Sequence, residues 1–160
     1  LFGALEPNPW QARDSVLAAL DMRVALASYN ESLRAKGLPE LRFGIGIHCG
    51  EVVAGVIGTA GLAKFSVTGD PINVASRVEG LTSKHEVDLL ITEEIRRSIG
   101  NEFLFQPMPA SYVKGKAEPI QTYYVESVVD GGNDSSKPQI NRASGSSGRD
   151  PKADEGGRIP

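Results

Sequence analysis

Arg42-Phe43-Gly44-Ile45-Gly46-Ile47-His48-Cys49-Gly50 alternates in twos, with Phe43, Ile45 and Ile47 on one face and Gly44 and Gly46 on the other. That alternation predicts a β-strand with one apolar face. Glycines inside a strand leave a side without Cβ atoms, which suits close approach of another backbone. They do not make a dinucleotide-binding loop, because in that motif the glycines open a helix after a strand. Cys49-Gly50 then turns the chain into a second apolar stretch, Glu51 to Ile57, and a hairpin between the two is expected.

Upstream of this stretch, Asn8-Pro9-Trp10-Gln11 reads as a helix start, with Asn8 as cap and Pro9 in the first helical position. Val16, Ala19, Met22, Leu26, Tyr29 and Leu33 follow three or four apart, an apolar stripe, and Gly37 is the expected terminator. Downstream come a loop over 58–63, a short strand over 64–68, a helix from about Pro71 to Leu81, and an apolar strand over 87–91. Thr92 is expected to cap a short helix that stops at Gly100, and strands near 103–106 and 121–126 flank a Lys114-Gly115-Lys116 turn. Interleaved helices and strands with hairpins predict an α+β fold, a mostly antiparallel sheet flanked by helices.

With 160 residues and 17.0 kDa, the chain has room for one domain. Its net charge of −3 and pI near 5.4 give no support to a nucleic-acid surface. The single cysteine, Cys49, excludes a disulfide framework and a cysteine-built zinc site. No run of roughly eighteen apolar residues marks a membrane span, and the start has neither the basic region nor the cleavage pattern of a signal peptide. The chain opens on apolar residues without an initiator methionine, and a fragment whose N-terminal part is missing is expected. Composition shifts near Ser127: residues 127–160 hold six Ser, six Gly and three Pro, with five basic and five acidic residues. Such a segment buries too little apolar surface to offset its ordering entropy, so a disordered tail is expected there and a folded domain over 1–126.

The segment with chemical content is Gly69-Asp70-Pro71-Ile72-Asn73-Val74-Ala75-Ser76-Arg77. Asp70 and Pro71 read as a cap and first-turn proline. Asn73 and Arg77, four apart, share a helix face near the N-terminus. An amide and a guanidinium beside free backbone N–H groups suit a phosphate or an oxyanion. The alternative is a solvated face on which Arg77 pairs with Glu79 or another surface acid. His48 reads as a structural strand-end residue and His85 as solvated. Glu93-Glu94 reads as an acidic first turn that favours the helix dipole.

Taken together, Arg42–Gly50, Gly55-Val56-Ile57-Gly58, Phe65–Glu79 and Val113-Lys114-Gly115-Lys116 resemble the class III nucleotidyl cyclases, the catalytic domains of adenylyl and guanylyl cyclases. The resemblance runs from Leu1 to about Glu126 and is nearest to bacterial-type adenylate cyclases. It implies a ferredoxin-like βαβ catalytic domain that works as a head-to-tail homodimer in the cytoplasm. There ATP is cyclised by attack of its ribose 3′-hydroxyl on the α-phosphate, with two Mg²⁺ or Mn²⁺ ions. Asn73 is implied to orient the ribose, and Arg77 to stabilise charge on the α-phosphoryl group. Lys114 is implied to contact the terminal phosphates.

Ser66 matches the position that helps select the base, where animal adenylyl cyclases carry aspartate, many bacterial ones threonine and guanylyl cyclases cysteine. Its hydroxyl can meet the adenine amino group as threonine does, which favours ATP over GTP. The family's two metal-binding aspartates and its adenine-reading lysine fall before the point that matches Leu1, so no metal ligand is assigned to this chain. Glu51 stands where some animal cyclases have a phosphate-contacting arginine. The reading is therefore an adenylate cyclase piece, inactive by itself. A guanylate cyclase, or an inactive cyclase-homology module that dimerises and regulates, are the rivals.

Overall fold

The computed structural model describes residues 1–4, 6–59, 61–112 and 118–129. Helix α1 spans Gln11–Ala35, two residues later than a cap at Asn8 would start it. Asn8 instead forms a turn ahead of the helix: its Oδ1 accepts from the Trp10 N–H at 2.8 Å and its carbonyl from the Gln11 N–H at 3.1 Å. Trp10 becomes the cap. The helix ends where the glycine requires it, with Gly37 at φ +67°.

After α1 come β1 (Ile45–Ile47), β2 (Val53–Ile57), β3 (Lys64–Thr68), α2 (Asp70–His85), β4 (Leu89–Thr92), α3 (Glu93–Ser98), β5 (Phe103–Pro107) and β6 (Thr122–Val128). Four strands form a sheet in the order β1-β4-β6-β5, parallel between β1 and β4 and antiparallel elsewhere. The α+β class with a mostly antiparallel sheet flanked by helices is thus the observed one.

The hairpin expected between β1 and β2 does not form. Strand β1 pairs with β4, Ile45 opposite Leu89 and Ile47 opposite Ile91, and β2 pairs with β3 in a separate two-stranded sheet. The reason lies in the glycines. A Cβ on Gly46 would sit 2.2 Å from the Glu79 backbone nitrogen and 2.6 Å from the Ala75 carbonyl oxygen, so the backbone of α2 rides directly on β1. Ile45 and Ile47 pack on the opposite side against the main core. A strand covered on both faces suits parallel pairing beside β4, at the edge of the sheet, better than a one-sided hairpin.

Strand β4 organises the interior, with all four of its residues buried. Leu89 and Ile91 pack with Val16 and Ala19 of α1, Ile95 of α3, Phe103 and Val125. Leu90 points the other way, into Val74, Val78 and Leu81 of α2. The apolar stripe of α1 is only partly used: Val16, Ala19 and Leu33 are buried, whereas Met22 and Tyr29 are 55% and 54% exposed. Apolar packing of α1 on the main core ends by Leu20. The far end of the helix is held by Asn30, which donates to the Leu41 carbonyl at 2.8 Å and accepts from the Leu41 N–H at 2.9 Å.

Helix α2 runs four residues beyond its expected end at Leu81, to His85, and Thr82 is buried past that point. Glu86, at φ +55°, closes it. Gly69 takes the cap, and Asp70 is the first helical residue. Strand β6 continues to Val128, and the Val129 N–H bonds the Glu102 carbonyl at 2.8 Å. The tail assigned to 127–160 lies outside the described residues from 130 onward.

Candidate functional site

Helix α2 is set by what it packs on. Gly44 and Gly46 leave no Cβ between it and β1, and a Cβ on Gly44 would lie 2.1 Å from the Thr82 hydroxyl oxygen. Val74, Val78, Leu81 and Thr82 turn inward. At about 100° per residue the face left over carries Asn73, Ser76 and Arg77. Asn73 is exposed and Arg77 half-buried, one turn apart on that face. Arg77 makes no hydrogen bond or ion pair with any described residue, so the expected alternative, a pairing with Glu79, is not what the structure holds.

Ser66 sits mid-strand in β3, half-buried, opposite Gly55 of β2. No side chain therefore covers it from the facing position, and a Cβ built on Gly55 meets nothing within 4 Å. Gly69 alone separates β3 from α2, so Ser66 is on the strand that feeds directly into the helix of Asn73 and Arg77. Lys114 lies outside the described residues.

A cavity of about 520 Å³ opens beside β1, lined among others by Ala18, Ala19, Ile47, Cys49, Ile72 and Ala75. It is on another side of α2 from Asn73 and Arg77, neither of which lines it. The sequence reading does not anticipate it. Its trace is the run of small residues Ala12, Ser15, Ala18 and Ala19, three, three and one apart along α1.

His48, at the end of β1, is tied down as a structural residue: its Nδ1 is 2.9 Å from the Thr92 hydroxyl and 3.7 Å from a Glu94 carboxylate oxygen. Burial pushes the Glu94 carboxyl up, but the Thr92 hydrogen bond, a backbone donor and the charges of His48 and Arg97 outweigh it and hold it below the usual range. The Cys49 thiol is pushed up, by burial first and by Glu94 second, so it is a poor nucleophile at neutral pH. Glu93 pairs with Arg97 at 2.8 Å, in keeping with an acidic first turn rather than a catalytic pair. His85 departs from expectation: its Nε2 is shielded at the end of α2 and finds no hydrogen-bond partner among the described residues.

Among the described residues, no three His, Cys, Asp or Glu side chains are placed to hold a metal ion. No described helix is long and apolar enough to cross a membrane.

A family model described as the adenylate and guanylate cyclase catalytic domain matches residues 4–127. An adenylate cyclase of Anabaena cylindrica is 40% identical over 116 residues, which cover 68% of this chain and 23% of that protein. The chain thus spans under a quarter of that relative's length. The crystal structure of the guanylyl cyclase Cya2 gives a TM-score of 0.72 at 27% identity, over 82% of this chain and 66% of that one. The adenylyl cyclase CyaB of P. aeruginosa gives 0.71 at 26% identity, over 82% and 68%. The glycine strand, the hairpin that follows it and the polar helix stand in the order the resemblance calls for, and the match runs through every element from α1 to β6: the chain belongs to the family of adenylate and guanylate cyclase catalytic domains.

Proposed function

We propose that this chain is the nucleotide-holding part of an adenylate cyclase, which converts ATP to cyclic AMP and pyrophosphate in intracellular signalling. The observation that carries the reading is Arg77, half-buried on α2, one turn from Asn73 and uncommitted to any described carboxylate. A guanidinium carried half-buried on a helix and paired with no described carboxylate is suited to a phosphoryl group.

In this reading Asn73 orients the ribose, so that its 3′-oxygen, giving up its proton to solvent, bonds the α-phosphorus while the bond from that phosphorus to the bridging β-phosphate oxygen breaks and pyrophosphate departs. Arg77 stabilises the charge that redistributes on the α-phosphoryl oxygens. Phosphoryl transfer gains mainly from such positioning and electrostatics. Lys114 holds the terminal phosphates, and Ser66 offers its hydroxyl to the adenine amino group. The two Mg²⁺ or Mn²⁺ ions implied by the family resemblance would be held by carboxylates outside the described residues. The reaction takes place in the cytoplasm.

The partner in this reading is a second copy, arranged head to tail. Its support is the β2–β3 sheet, with which no other strand of the described residues pairs and which leaves Val53, Val56 and Ile57 each at least 65% exposed. A two-stranded sheet is marginal by itself, and an apolar one asks for cover. Guanylate cyclase is the second reading, favoured by the likeness to Cya2. An inactive regulatory module fits less well, since Asn73, Arg77 and Lys114 are all retained.

The test is subunit mixing in the full-length protein. Arg77→Ala and a variant lacking the metal-binding carboxylates should each be strongly impaired alone. Mixed, they should restore one intact site per dimer. No recovery, with dimerisation verified by sedimentation, would show that Arg77 does not serve a composite site.

A further inference from the structure

We infer that Gly50 is a positioning residue for the first turn of α2, acting on Asn73 through the ring of Pro71. The inference rests on the reading of Asn73 as the residue that orients the ribose.

Two connections cross beside the cavity. One leaves β1 at His48 and runs through Cys49, Gly50, Glu51 and Val52 to β2; the other leaves β3 at Thr68 and enters α2 through Gly69. Each supplies a glycine where it meets the other. A Cβ on Gly50 would sit 2.4 Å from Cγ and 3.1 Å from Cβ of Pro71. A Cβ on Gly69 would lie 3.3 Å from the Glu51 carbonyl oxygen and 3.4 Å from the Val52 Cα, at a φ of +153° that favours glycine. Carbon atoms pack comfortably at about 3.5–4.0 Å, so a methyl at Gly50 cannot be absorbed without movement.

The Pro71 ring cannot swing aside as a free side chain would, because its far end is bonded back to the backbone nitrogen. Displacing it displaces the helix start, and Asn73 lies two residues on. Further along, α2 is pinned by Gly46 under Ala75 and Glu79 and by the burial of Val74 and Val78. A shift forced at Gly50 is therefore concentrated in the first turn and moves Asn73 relative to Arg77. Misplacement of a positioning group by about 1 Å costs on the order of 10² in rate. Contacts to the terminal phosphates are untouched, so substrate affinity should hold.

The experiment is a kinetic double-mutant cycle in the full-length enzyme with ATP, with circular dichroism and melting run on every variant. Gly50→Ala should lower kcat about 10- to 100-fold with KM changed less than about twofold. Pro71→Ala, which removes Cγ, should lower kcat only by about threefold. The double variant should recover most of the loss, short of the Pro71→Ala level because the 3.1 Å approach to Cβ of residue 71 remains, a rescue that general destabilisation would not produce. Should Gly50→Ala fail to fold, recovery of a folded, active double variant supports the same contact, and a double variant that also fails overturns it. An impaired Asn73→Ala beside a normal Gly50→Ala, or a Gly50→Ala defect that Pro71→Ala does not relieve, overturns the positioning role alone. A normal Asn73→Ala overturns the reading of Asn73, and the inference with it.

Discussion

Arg23 of α1 grips Asp88, just ahead of β4, with both prongs of its guanidinium: Nε to Oδ2 at 2.6 Å and Nη2 to Oδ1 at 2.7 Å. The remaining donors reach the Glu126 and Val125 carbonyls of β6 at 2.8 and 2.9 Å, and the group lies 5.5 Å from the centre of the Tyr124 ring. The Asp88 carbonyl in turn accepts the Ile45 N–H at 2.8 Å. One side chain thereby ties α1 to the two central strands and, through Asp88, to the start of β1. Arg23→Ala should destabilise the protein by about 2–3 kcal/mol, since it strands a partly buried carboxylate and two carbonyls. Arg23→Lys, without the planar fork, should lose about half as much. Urea unfolding of the three proteins checks the order, and equal stability of alanine and wild type would remove the clamp.

For Arg77 the expectation concerns which kinetic constant moves. Charge on the α-phosphoryl group changes as the barrier is crossed, so a fixed cation there acts most in the transition state. Arg77→Ala should lower kcat on the order of 10²–10³-fold with KM for ATP little altered. Lys114→Ala should instead raise KM, because the terminal phosphates are present in substrate and transition state alike. A pure KM effect at Arg77 would move it from chemistry to binding.

Ser66 stands opposite Gly55, with no facing side chain to take its hydroxyl. Ser66→Cys should weaken discrimination for ATP, since a thiol is a poorer hydrogen-bond partner than a hydroxyl. The measurement is the ratio of kcat/KM for ATP to that for GTP before and after substitution. An unchanged ratio places Ser66 outside the base pocket.

Glu94 links pH to stability. Its carboxyl is held below the ordinary 4.5, so the folded state favours the ionised form. That contribution is complete above about pH 4.5 and is lost as pH falls through the lower folded-state value. Glu94→Gln should therefore cost stability at neutral pH and flatten the loss of stability on acidification below that point. Thermal melts from pH 7 down to pH 3 read the difference; parallel curves for the two proteins would contradict the assignment.

Much of this fold is legible from short stretches. The alternation of Phe43, Ile45 and Ile47, the Pro71 helix start and Gly37 as terminator each specify local structure through backbone preference and side-chain period. Asn73 and Arg77 are visible in the same way, because a spacing of four on a helix is a statement about one face. Periodicity says which face of an element is apolar, and nothing about which element will cover it. That Ile45 pairs with Leu89, 44 residues on, rather than with β2 is decided by α2 settling on Gly44 and Gly46. That Met22 and Tyr29 are exposed is decided by a core whose apolar contact with α1 ends by Leu20. The contact of Gly50 with Pro71 joins two connections 21 residues apart in the chain, neither of which carries a local sign of the other. Local free energies select strands and helices, whereas pairing and crossing are chosen by the total surface they bury, a quantity that exists only once the chain has folded.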